Sequence, residues 1–134
     1  MIHSMQPPYA LATTTFRFPA LAALAGRAPL GGQREVALAT YLAARLVHDT
    51  LPDRGVTTAA RIERAASAKT WLSTLALPAA IRPALTKLVE SSAASPESAG
   101  QAVRNVTAVT ASFLDSGARS ELDNLAASLS ANRP

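Results

Sequence analysis

Apolar residues return every three to four positions in several stretches of this chain, separated by Pro, Gly and Ser, which is the period of amphipathic helices. The first long stretch predicts a helix from Arg34 to Leu51, halted by Pro52, Asp53 and Gly55. Val36, Ala39, Leu42, Ala43, Leu46 and Val47 gather on one side of it, while Tyr41, Arg45 and His48 line the opposite flank. A second stretch predicts a helix over 58–77, with Thr57 as N-cap and Ile62, Ala65, Leu72 and Ala76 as its buried stripe. Lys69 falls inside that stripe, where its stem is expected to follow the core edge and its ammonium to reach water. Trp71, Leu75 and Arg64 widen the apolar arc, so this helix is expected to pack on two sides.

The third helical stretch has Ile81, Leu85, Leu88 and Val89 on one face, and Pro83 demands either a kink or a turn ahead of it. Ser95, Pro96 and Glu97 form the clearest start signal in the chain: a cap, a proline at the first position, and a carboxylate at the positive end of the dipole. The helix they open carries Ala99, Ala102, Val103, Val106, Thr110, Phe113 and Leu114 on one side, with Gly117 placed to end it. A last helix over 118–130 aligns Leu122, Leu125, Ala126 and Leu129. Ahead of all these, Pro7 and Pro8 forbid helix, Phe16 and Phe18 alternate around Arg17, and Pro19 to Ala25 reads as a short helix before Gly26 and the glycine joint at 31–32. The expectation is therefore all-α: an extended N-terminal arm over 1–33 and a helical bundle domain over 34–134, an antiparallel bundle of four to five helices.

Composition sharpens this picture. Alanine makes up roughly a fifth of the chain and aromatics 4%, so the helices must approach closely and leave most of the burial to Leu, Ile and Val. At 134 residues the chain is long enough to bury a core without a covalent or metal staple. It has no cysteine, which removes disulfides, thiolate metal sites and cysteine nucleophiles together. The net charge of +4 comes almost entirely from arginine, spread along the chain without a run. Arginine over lysine with abundant alanine fits a GC-rich bacterial genome. A cytoplasmic location is expected, with an organellar matrix as the alternative because no acidic residue precedes Glu35. No stretch approaches the ~20 apolar residues of a membrane span.

Chemistry-bearing patterns are sparse. Of the two histidines, His48 adjoins Asp49, but adjacent helical residues point about 100° apart and do not form a dyad. No metal, cofactor or catalytic residue is assigned. The row Tyr41, Arg45, His48 is the candidate anion-binding set, the alternatives being the wet side of an amphipathic helix or the rim of an interface. Asn105-Val106-Thr107 matches a glycosylation acceptor but lies inside a helix. Phe16, Phe18, Arg64, Trp71 and Leu75 form the candidate partner-binding set, since Trp and Arg commonly anchor interfaces. Three readings follow. The first is a non-catalytic helical subunit that binds another protein or itself. The second is a basic nucleic-acid binder using Arg61, Arg64, Arg82 and Arg104. The third is a small enzyme or ligand carrier with a pocket between helices.

Overall fold

A computed structural model describes residues 18–27, 32–49 and 57–131. These residues form six helices: α1 (Pro19–Arg27), α2 (Gly32–Asp49), α3 (Thr58–Leu72), α4 (Ile81–Ser91), α5 (Pro96–Val109) and α6 (Ser116–Ala131). The all-α class stands, and the helix count is six where four to five were expected. The extra helix is α1, which packs on α2 and α6. Residues 18–27, read from sequence as part of the arm with a possible short helix, contain that helix, and it packs on α2 and α6. The arm's earlier residues, Phe16 among them, lie outside the described residues.

α2 holds the centre and touches every other helix. Its expected stripe is buried as anticipated, but Ala37, Thr40, Tyr41, Ala44 and Arg45 on the other flank are buried too. A helix enclosed on all sides has no wet face, and the alanines between its larger residues let its neighbours come close. The remaining helices follow the chain: α4 packs on α5 and α5 on α6, each pair joined by a short connection.

Local chemistry explains most boundaries. Thr57 accepts from the Ala60 N–H at 3.1 Å and Ser95 from the Ser98 N–H at 3.2 Å, as their N-cap positions require. α3 ends at Leu72, five residues short of the predicted Leu77. There the Thr74 and Leu75 amides reach back only three residues, to Trp71 and Leu72, and tighten the chain out of the helix. Arg82 then donates to the Leu72 carbonyl at 2.9 Å and to the Leu75 carbonyl, satisfying oxygens that further helix would have used. The Pro83 question resolves as a turn. Ile81 and Arg82 both donate to the Pro78 carbonyl, and α4 begins at Ile81, so Pro83 falls in a first turn whose amides need no helical partner.

α5 also stops early, at Val109, with turns over 110–113. Asp115 restarts the helix by accepting from the Ala118 N–H at 2.9 Å. Gly117 therefore opens α6, correcting its expected role as the end of α5. A Cβ at Gly117 would stand 3.2 Å from the Cβ of Ala20, so its bare backbone is what lets α1 sit this close to α6.

The packing makes a sharp contrast testable by urea denaturation. Leu42→Ala, at a fully buried position on α2, should cost about 2–5 kcal/mol. Ile62→Ala, on the surface of α3, should change stability by less than about 1 kcal/mol.

Candidate functional site

The two candidate residue sets meet at Phe18. Its ring packs edge-on against Tyr41, at 6.5 Å between centroids, and against His48, at 6.0 Å. Tyr41, Arg45 and His48 do form one row on α2, as their spacing implies, but the row faces inward. Arg45 is 2% exposed and Tyr41 4%, and only His48 reaches partway to solvent. A solute cannot reach the guanidinium of Arg45, and the wet-face alternative fails for the same reason.

His48 opens onto a cleft of about 210 Å³ lined also by Phe18, Glu121, Asn124, Leu125 and Ser128. The α6 residues lie three and four apart and so share one face. Glu121 is the acidic residue lining this cleft, and its carboxylate is committed. Its oxygens accept from the Ala20 N–H at 2.7 Å and the Leu21 N–H at 2.9 Å, which are amides of the first turn of α1. A carboxylate at the positive end of a helix is well placed, and it leaves the cleft unsuited to an anion. Glu121 carried no signal in the sequence, because its partners lie about a hundred residues away.

Helix ends are served the same way elsewhere. Arg34 Nε donates to the Ala25 carbonyl near the end of α1 at 3.2 Å, and the Gln33 side-chain amide donates to the Phe113 carbonyl at 3.1 Å. Glu35 accepts from the Ala76 N–H at 3.2 Å. Arg82, one of the four arginines considered for phosphate contacts, is spent on the end of α3. Arg61 and Arg64 are half-buried on α3, while Arg104 is exposed on α5. These four side chains do not share one helix face.

The partner-binding set is also largely internal. Trp71 is 7% exposed and Leu75 and Phe18 are buried as deeply, so all three serve this chain's own core. Arg64 is half-buried. The buried face of α3 runs through Ala65, Ala68, Trp71 and Leu72, so it keeps Ala65 and Leu72 of the expected stripe and leaves out Ile62 and Ala76. Ile62 is consequently 57% exposed, and Ala76 is exposed as well. Lys69 reaches water as expected and pairs with Glu90 at 2.8 Å. With Ile62, the exposed Ala59 and Ala66 lie one turn to either side and make a small apolar strip on the outer side of α3.

An open groove of about 390 Å³ between α4 and α5 is lined by Lys87, Glu90, Ala94, Gln101, Ala102 and Asn105, and most of its surface is apolar. Asn105 is exposed, but the Thr107 hydroxyl of its acceptor pattern is turned onto the helix and donates to the Val103 carbonyl at 2.8 Å. Among the described residues, no three His, Asp or Glu side chains gather as a metal ion would need, and no helix is long and apolar enough to cross a membrane. Comparison with known protein families, with curated proteins and with solved structures finds no match.

Two expectations follow for the interior row. Arg45→Ala should destabilise the fold by about 2–5 kcal/mol in chemical denaturation, because truncating so large a buried side chain leaves a cavity between the helices around α2. The Thr40 hydroxyl is buried with no hydrogen-bond partner among the described residues, so Thr40→Val should raise stability, by about 1 kcal/mol.

Proposed function

We propose that this chain is a non-catalytic helical subunit that binds another protein, and that the contact runs through the outer side of α3. The observation that carries the reading is Ile62, a large aliphatic side chain left 57% exposed where most other large aliphatic side chains among the described residues are buried. The exposed Ala59 and Ala66 beside it let a second helix approach closely, and α3 packs chiefly on α4 and α2, leaving its far side exposed among the described residues. The flanks offer Glu63 and Lys69, so a partner helix meets an apolar centre with charges at its edges, the ordinary plan of an interface. The fitting partner is thus a helix of another protein with an aliphatic stripe. The nucleic-acid reading draws less support, since one of its four arginines caps a helix and the others are divided between two helices.

The test is capture from native extract in nuclease at moderate salt, using the chain and its Ile62→Asp variant side by side. Proteins retained by the former and reduced at least about tenfold with the latter, at matched thermal stability, are the expected outcome. Equal retention by both removes α3 as the contact. Capture lost on nuclease treatment alone moves the function to nucleic acid.

A further inference from the structure

The cleft at His48 brings apolar and oxygen-bearing side chains together, away from the α3 contact. It lies where the start of α1 meets the end of α2, over the face of α6 that carries Glu121, Asn124, Leu125 and Ser128. Phe18 and Leu125 are buried and supply its apolar wall, while Glu121, Asn124 and Ser128 supply oxygens. Each Glu121 oxygen accepts one backbone N–H of α1 and, with two lone pairs, keeps capacity for another donor. The start of a helix carries the equivalent of about half a positive charge, so α1 offsets only part of the carboxylate. Among the described residues no lysine or arginine lines the cleft, so no permanently positive side chain cancels the rest. Its volume of about 210 Å³ is that of roughly seven waters in the liquid, enough for a short aliphatic chain with a polar head.

We propose that this cleft binds an alkylammonium group, borne by a small free amine or by a lysine side chain of a partner. An ammonium has three donors and no acceptor, which suits the acceptor oxygens of Glu121, Asn124 and Ser128. The methylenes behind it suit Phe18 and Leu125, and a wall of low polarity strengthens the attraction between ammonium and carboxylate over its value in bulk water. A calcium or magnesium ion fits less well. Such ions gather oxygen ligands, chiefly carboxylates, whereas the single carboxylate here is shared with two amides. The cleft is built from α1, α2 and α6, so the inference does not rest on the α3 contact, and the two can fail separately.

The probe is n-butylammonium chloride, titrated into the isotope-labelled chain near neutral pH, at which an alkylammonium keeps its proton. Uncharged 1-butanol is titrated alongside it. The expected result is a set of saturable NMR shifts grouped at Phe18, His48, Asn124 and Ser128, with a Kd on the order of a millimolar, as suits so small a ligand. Butanol should bind at least about tenfold more weakly. Nα-acetyl-lysine amide separates the two sources: binding as tight as that of butylammonium assigns the cleft to a lysine side chain, and binding of butylammonium alone assigns it to a free amine. Glu121→Gln should weaken butylammonium binding by at least about tenfold. Because Glu121 also holds α1, Asn124→Lys is made in parallel. It sets a positive charge in the same cleft from an exposed position on α6 and leaves the α1 amides their carboxylate, so it should abolish binding at unchanged thermal stability. Shifts scattered over the whole surface, equal binding of butanol, or undiminished binding by Asn124→Lys overturns the proposal.

Discussion

The constraint on which this structure depends is the enclosure of α2. A helix touched by five others has no side on which to keep polar residues cheaply, so nearly every position must be small or aliphatic. The alanine content then becomes intelligible: a small central residue brings each neighbour close, and Leu, Ile and Val on the surrounding helices fill what remains. The cost of polar groups in this setting gives Thr40, Tyr41 and Arg45 their significance. Buried on the central helix, they sit beyond the reach of a diffusing ligand, and the Thr40 and Tyr41 hydroxyls lie there with no hydrogen-bond partner among the described residues.

A second theme is the use of charge inside one molecule. Glu121, Arg34, Arg82 and Glu35 each put a charged side chain on the backbone of another segment, at or near the end of a helix. Charges committed in this way say little about external partners, so the basic composition is a poor guide to what the chain binds. What remains outward among the described residues includes the Ile62 strip of α3, the grooves between α4 and α5 and between α5 and α6, and the cleft at His48.

The parts of this arrangement that could be read in the sequence are those governed by near neighbours. Thr57 and Ser95 cap where a threonine or serine ahead of an apolar period should, and the apolar faces of α4, α5 and α6 coincide with the three-to-four spacing. What could not be read depends on distant residues. Whether the far flank of α2 is wet or dry is decided by how many helices surround it, and no window along the chain contains that number. The stripe on α3 went astray because Ile62 is as hydrophobic as any core residue, while the seam was chosen by Trp71 packing inward. The ends of α3 and α5 were set by Arg82, by turns and by Asp115, against an apolar pattern that continues past them. Phe18, Trp71 and Leu75, candidate anchors by residue type, are buried in this chain's core, a placement that residue type alone does not decide.

The cap on α1 has a consequence for the order of synthesis. The carboxylate of Glu121 is made about a hundred residues after the amides it receives, so those amides, and the apolar residues beside them, must wait through most of translation. Contacts between α4, α5 and α6 are local and can form as the chain emerges, whereas closing α1 onto α6 carries the entropy of a loop spanning nearly the whole described chain. Phe18, Leu21 and Leu24 are thus the part of the nascent protein longest without their final cover.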